Sequence, residues 1–146
     1  MRVFLTQDFR KLGLQFTAPR SGDAGYDLFS IEAYTFRPGE QAVIRTGIHC
    51  EIPPHYVGLI KDRSSVAQKG LHIIAGVIDS SYRGEIKIVL VNLNPRNYQV
   101  DVGQKLAQLV VVPCYTDDVE LVNDIEDLSV TLRGLQGFGS TNQKGD

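Results

Sequence analysis

Gln41-Ala-Val-Ile-Arg-Thr-Gly-Ile-His-Cys-Glu-Ile52 runs straight into Pro53-Pro54-His55, and Tyr56-Val-Gly-Leu-Ile60 follows. The first stretch is rich in β-branched residues, so it reads as a strand. Two consecutive prolines lack N–H donors and cannot continue a ladder, so they set an extended corner. The apolar run after them reads as the next strand. Working outward, Val3–Leu5, Tyr26–Phe36, Glu85–Asn92 and Leu106–Val112 have the same character. Arg37-Pro-Gly-Glu40, Tyr82-Arg-Gly-Glu85 and Asn92-Leu-Asn-Pro95 supply turn residues between runs. Many short strands at this spacing predict an all-β chain, a single-domain jelly-roll-like β-sandwich or barrel. One short helix is expected over Ser64-Ser-Val-Ala-Gln-Lys69, capped by a serine and stopped by Gly70. Asp117–Leu128 reads as an acidic connector with some strand-like character.

The chain has 146 residues, about one domain. Its net charge of −2 provides no general basic field for long nucleic acid. A phosphate-binding role must rest on a few placed cations, which favours a small anionic ligand over a polymer. Cys50 and Cys114 are far apart, without metal-ligand spacing, and read as reduced thiols. Arg2, Asp8, Arg10 and Lys11 interrupt any apolar run near the start, so no secretory leader is expected. The longest apolar stretches, such as Leu109–Val112, are far too short to span a bilayer. A soluble, intracellular protein with no membrane partner is the expectation.

Five segments carry candidate chemistry. Ser21-Gly-Asp-Ala-Gly-Tyr-Asp-Leu28 sets two acids around a glycine, which suits a turn or a carboxylate holding a hydrated divalent cation. Asp62-Arg-Ser-Ser65 combines a forked cation with hydroxyls, as a surface turn or a phosphate site does. In Gly76-Val-Ile-Asp-Ser-Ser-Tyr-Arg-Gly84, Asp79 follows an apolar pair at a strand end, where partial burial can tune a general base. Tyr82 is placed to wall a small pocket. A plain hairpin would use the same residues. Gly103-Gln-Lys-Leu-Ala-Gln-Leu109 sets the amide of Gln108 among apolar neighbours, where it needs backbone or ligand partners. The last segment, Arg133-Gly-Leu-Gln-Gly-Phe-Gly-Ser-Thr-Asn-Gln-Lys-Gly-Asp146, has four glycines and one aromatic, as a flexible tail or an ordering arm would.

In this order and spacing the five segments resemble the five motifs of the homotrimeric dUTPases, from about Ser21 to Asn142. The resemblance implies one domain over 1–146, with a β core to about 128 and a C-terminal arm over 129–146. It implies hydrolysis of dUTP to dUMP and pyrophosphate with Mg2+, keeping uracil out of DNA. Asp27 matches the aspartate that holds waters of the magnesium. Arg63, Ser64, Ser65 and Gln108 match phosphate-binding residues, and Asp79 the base that activates water. Tyr82 matches the tyrosine beneath the deoxyribose. Gly76 lies in the hairpin whose backbone reads uracil, and Val77, Ile78 and Lys87 are implied to bind substrate. Arg133 matches the arginine on the γ phosphate and Phe138 the aromatic that stacks on uracil, with Ser140 and Thr141 implied near the phosphates and Gly139 among the substrate-binding residues. The same resemblance implies a homotrimer whose sites are shared between subunits.

Three residues depart from the family pattern. Gln136 and Asn142 replace tail glycines, and Asp62 stands where family members often have proline. An acid beside a phosphate site is awkward, so the Asp62 side chain is expected to point away. Two rivals share the fold. A dCTP deaminase needs a catalytic glutamate in the strand after the third motif, where this chain has Val89 within Ile86-Lys-Ile-Val-Leu-Val-Asn92. A catalytically silent nucleotide-binding module would have no need of Asp79.

Overall fold

The apolar runs become strands in the computed structural model, which describes residues 1–135. The strands are β1 (Arg2–Leu5), β2 (Gly25–Phe29), β3 (Tyr34–Phe36), β4 (Gln41–Glu51), β5 (Tyr56–Asp62), β6 (Leu71–Ala75), β7 (Val77–Ile78), β8 (Ile86–Asn92), β9 (Tyr98–Val100) and β10 (Lys105–Pro113). Two short helices join them, α1 (Gln7–Lys11) and α2 (Ser64–Ala67). Every one of these lies in the unit Met1–Tyr115. A second unit begins at Thr116, and its described part holds one 3-10 turn, Ile125–Asp127. The strand-like character expected over Asp117–Leu128 is absent. Its acids close a capping box instead, with Asp124 and Asp127 bonding each other's end of the turn.

All pairings are antiparallel. One sheet has the order β1-β4-β8-β6, a second β2-β10-β5-β7, and β3 with β9 forms a ribbon. None of the sheets closes into a barrel among the described residues, so the sandwich half of the expectation holds. Inward residues from both large sheets share one core. Ile44, Ile48, Ile86, Ile88 and Leu90 come from the first, and Leu28, Ile60, Leu106 and Leu109 from the second. Burying each such side chain contributes about 1.5–3 kcal/mol. On β8 the alternation is regular, with Ile86, Ile88 and Leu90 buried and Lys87 exposed between them.

The corner after β4 is a tight turn. Pro54 occupies its second position and His55 its third at φ 63°, while Tyr56 N–H donates to the Pro53 carbonyl at 3.2 Å. That is a type II geometry, for which proline is preset. At the end of β8 the buried Asn92 ties the first sheet to the ribbon. Its Nδ2 donates to the carbonyls of Phe36, Arg37 and Arg96 at 3.3, 3.2 and 2.9 Å. No buried side-chain nitrogen or oxygen among the described residues lacks a partner. Both cysteines are free thiols, Cys50 buried and Cys114 half-buried.

Two expectations about helices need correction. There are two short helices rather than one, because Thr6 caps a turn at Gln7–Lys11 that buries Phe9. The Thr6 hydroxyl accepts from Phe9 N–H at 3.3 Å, Asp8 sits in the first turn, and Arg10 and Lys11 in the last. The cap of α2 is Arg63, not a serine. Arg63 is extended (φ −88°, ψ 133°) and makes no side-chain cap, so Ser64 and Ser65 lie inside the helix with exposed side chains.

Candidate active site

The second sheet carries one acid and one amide face to face. Asp27 on β2 pairs in register with Gln108 on β10, and Gln108 pairs with Lys61 on β5. The β5 strand ends at Asp62, and Arg63 leads into α2. The three sequence segments that carry Asp27, Arg63-Ser64-Ser65 and Gln108 therefore line one cavity of about 510 Å3. Arg20, Arg63 and Lys105 contribute three cations to it, and Asp23 and Asp27 two carboxylates. The excess of one positive charge suits an anion.

Within this cavity Arg63 Nη1 donates to Asp27 Oδ1, and Lys105 Nζ lies 2.7 Å from Asp27 Oδ2. Gln108 Nε2 donates to the Asp62 carbonyl at 2.9 Å, which fixes the amide plane. Asp62 itself turns away, as expected. Its Oδ1 accepts from Ile73 N–H at 2.8 Å and its Oδ2 lies 2.7 Å from His72 Nδ1. The carboxylate thus stitches the end of β5 to β6 and stays out of the phosphate-competent cavity.

The third segment lines a different cavity of about 220 Å3, walled by Gly76, Val77, Ile78, Asp79, Tyr82, Lys87 and Val89 among others. Its hairpin is pressed against β5. Ile60 N–H donates to the Gly76 carbonyl at 2.8 Å, and a Cβ at position 76 would lie 2.8 Å from the Ile60 carbonyl oxygen, so only glycine fits. β7 then pairs Ile78 with Gly58 and Val77 with Leu59. Asp79 follows β7 immediately, at the strand end read from the sequence, and Tyr82 N–H donates to its carbonyl at 3.1 Å. The Tyr82 hydroxyl donates to the Glu85 carbonyl at 3.0 Å, which holds the ring over Gly84. Asp79 is exposed, which corrects the expectation of partial burial: it follows the edge strand β7, in the turn that leads to Tyr82.

The two cavities stand apart within one chain. β2 and β7 are the opposite edges of the second sheet, three strand spacings or about 14 Å apart. Ile78 is level with Gly58 and Asp27 with Lys61, which adds about 10 Å along the strands. The sequence segments are thus brought together in two groups, Asp27, Arg63, Ser64, Ser65 and Gln108 in one, and Gly76 to Tyr82 with Lys87 in the other. Arg133 lies in the unit that begins at Thr116. Phe138, Gly139, Ser140 and Thr141, with Gln136 and Asn142, lie outside the described residues.

Two site residues escaped the sequence reading. Lys105 lies in the Gly103–Leu109 segment, where residue type singles out only the amide of Gln108. Glu85 was read as part of a turn. Its Oε1 accepts from Gly47 N–H at 2.8 Å and its Oε2 from Arg45 Nε at 3.2 Å, so it anchors the bulge in β4 beside the second cavity. Arg45 is consequently held above its ordinary pKa, chiefly by that hydrogen bond to Glu85.

A divalent cation can be tested against this arrangement. Among the described residues no cluster of three or more His, Cys, Asp or Glu side chains could cage a metal. Asp27, a carboxylate on the wall of a polar cavity, would suit a hydrated magnesium ion, which needs only one or two carboxylates from the protein.

Known proteins match this chain in sequence and in fold. The family model described as dUTPase matches residues 15–142. The deoxyuridine 5'-triphosphate nucleotidohydrolase of Clostridium novyi (strain NT) is 40% identical over 144 residues, covering 97% of this chain and 99% of its own. The structure of Staphylococcus bacteriophage 80alpha dUTPase with dUPNHPP superposes with a TM-score of 0.84 at 32% identity, over 95% of this chain and 96% of that one. A mutant dUTPase from phage phi11 of S. aureus, studied for its coordination of a structural Mg(II) ion, has a TM-score of 0.76 at 32% identity, over 86% and 97%. With the family model spanning most of its length and a near full-length relative at this identity, the chain belongs to the dUTPase family.

Proposed function

We propose that this chain is a dUTP diphosphatase, hydrolysing dUTP to dUMP and pyrophosphate. The observation that carries the reading is the convergence of Asp27, Arg63, Ser64, Ser65 and Gln108 on one cation-rich cavity, with Asp79 and Tyr82 grouped in a second. The first has the donors a polyphosphate needs. Arg63 forks two N–H groups onto phosphate oxygens, the Ser64 and Ser65 hydroxyls add more, and Gln108 presents an amide held by the Asp62 carbonyl.

Asp79 is the general base. It takes a proton from the water that attacks the α phosphorus, in line with the departing pyrophosphate, with no covalent intermediate. Arg63 and Gln108 offset the charge that develops on the phosphate oxygens. Asp27 would hold magnesium through water, and the ion when bound supplies further neutralisation of that charge. Arg133 grips the γ phosphate, and Phe138 stacks on uracil, a contact worth roughly 1–3 kcal/mol in comparable base–aromatic pairs.

Selectivity has separate sources in the second cavity. Ile60 holds the Gly76 carbonyl and leaves no room for a side chain there, so the hairpin of Gly76, Val77 and Ile78 is rigid. A rigid backbone rejects the thymine methyl by clash, where attraction alone could not discriminate one methyl. Cytosine presents the reverse donor and acceptor edge and would leave backbone groups unpaired. Ribose would press its extra hydroxyl onto the Tyr82 ring, which the Glu85 carbonyl holds in place.

The functional assembly is a homotrimer. A base must come within hydrogen-bond reach of its water, so Asp79 serves a phosphate bound near Asp27 only if the two come from different subunits. The resemblance assigns Arg133 and the residues after it to a site on a neighbouring subunit.

The direct experiment incubates the purified chain with Mg2+ and each of dUTP, dTTP, dCTP and UTP, and assays pyrophosphate and nucleotide products. Rapid release of dUMP and pyrophosphate from dUTP alone is the expected result. Uracil nucleotides formed from dCTP would make it a deaminase despite Val89, and binding of dUTP without hydrolysis would make it a silent module.

A further inference from the structure

The β10 strand does not keep a plain two-residue alternation at its start. Its pairing with β2 shifts between Lys105 and Ala107, so that Lys105 stands opposite Phe29 and Ala107 opposite Leu28. Two residues on β10 oppose one on β2, with Leu106 as the extra residue. Leu106 and Ala107 are accordingly both buried, though they are neighbours in sequence. The bulge has a consequence for Lys105. Residues three apart on a regular strand face opposite sides, so an unbulged β10 would send Lys105 away from Gln108. With the bulge, Lys105 and Gln108 line the same cavity, opposite Phe29 and Asp27, which share one face of β2.

Three further observations bear on what Lys105 does there. Its ammonium lies 2.7 Å from Asp27 Oδ2, while Arg63 donates to Oδ1 of the same carboxylate. Two cations on one anion leave a surplus positive charge aimed into the cavity. The ammonium also lies 5.6 Å from the centre of the Phe29 ring, and the side chain stays about half exposed, so the cation is partnered yet still open to the cavity. A lysine tied to a carboxylate for stability alone gains little at such exposure. A point charge on a flexible stem is suited to following phosphate oxygens.

We propose that Lys105 is a substrate-binding residue of this site, brought there by the β10 bulge, and that its ammonium contacts the polyphosphate directly and does not merely orient Asp27. This rests on the reading of the cavity as a nucleoside-triphosphate site. Phosphate oxygens replace Asp27 Oδ2 as its partner, which frees that carboxylate oxygen for a hydrated cation. No bond is made or broken in the exchange.

The test measures equilibrium affinity for the α,β-imido analogue of dUTP by calorimetry, once in EDTA and once in Mg2+, for the full-length protein and three variants. Lys105→Met keeps an apolar stem of similar length and removes the charge, Lys105→Gln removes the charge and keeps a polar end, and Lys105→Arg keeps the charge. The first two are expected to lose about ten- to a hundredfold in affinity in both conditions, the size of one charge-assisted hydrogen bond. Lys105→Arg is expected to stay close to the parent. Unchanged affinity of the uncharged variants in EDTA, with only the Mg2+ dependence altered, would overturn direct contact and leave Lys105 as a positioner of Asp27. An equal loss in Lys105→Arg would also overturn it, since charge would not be the cause. If the parent protein itself fails to bind the analogue, the reading of the cavity falls first, and the role of Lys105 with it.

Discussion

Gly25 and Gln108 approach so closely across the β2–β10 pair that a Cβ on Gly25 would lie 2.6 Å from Gln108 Oε1 and 2.9 Å from its Cβ. The amide is therefore held from two sides, by the bare backbone at Gly25 and by the Asp62 carbonyl that accepts from its Nε2. Gly25→Ala must push the Gln108 side chain aside and break that hydrogen bond. The expected outcome is a folded protein destabilised by about 1–3 kcal/mol, as overpacking typically does. Its kcat/KM for dUTP should fall by up to about tenfold, the value of one neutral hydrogen bond. Urea denaturation and steady-state kinetics measure both. An alanine variant with unaltered kcat/KM would show that the amide orientation does not matter.

If Asp79 is the proposed base, its substitution separates chemistry from binding. Asp79→Asn keeps the size and the turn, since the carbonyl that accepts from Tyr82 N–H is backbone. A positioned general base contributes about 10²–10⁴ in rate. A fall of at least that range in kcat, with the affinity for the imido analogue preserved, is the expected result. Turnover within a few-fold of the parent would remove Asp79 from the role.

How much of this was legible beforehand depended on the length and regularity of each signal. The strands at Gln41–Glu51 and Ile86–Asn92 were readable because long β-branched runs leave no competing period. β9 is only three residues, Tyr98–Val100, and exists through its pairing with β3, a contact some sixty residues away that no local pattern encodes. The first helix did carry a signal, Thr6 as cap with Asp8 behind it, but five residues are too few for a helical period to show. Asp27, Arg63, Asp79 and Gln108 stood out by type and spacing. Lys105 did not, because strict alternation puts it on the wrong face and the bulge that corrects this is set by tertiary pairing. The role of Asp62 depended on His72 and Ile73, which reach it only after β6 has folded back.

The two cysteines should differ sharply in reactivity. Cys50 is buried on β4, and that burial pushes its thiol up to about 11 from the ordinary 9.0. A raised thiol pKa favours the folded state below the ordinary value, and this contribution is lost as pH rises from about 9 to about 11. Iodoacetamide at pH 8 is therefore expected to modify half-buried Cys114 first and to reach Cys50 only when denaturant opens the fold. Mass spectrometry of timed digests reads the order. Labelling of Cys50 at the rate of Cys114 in native buffer would contradict the burial.

The separation of the two cavities makes a prediction that does not depend on any single side chain. If Asp79 of one subunit serves the Arg63 cavity of another, two defective chains can repair each other. Asp79→Asn subunits retain an intact phosphate cavity, and Arg63→Ala subunits retain an intact base. Each variant alone is expected to be nearly inactive. In a trimer of randomly mixed subunits each site draws its base and its phosphate cavity independently, so about a quarter of the sites combine the two intact parts. Co-expression from one plasmid, with different tags to confirm mixing, should therefore recover about a quarter of parental kcat. If instead each chain built its site alone, across the roughly 14 Å width of its own sheet, every mixed assembly would contain only broken sites. Activity no higher than the average of the two variants, in assemblies proven to be mixed, would refute the shared site.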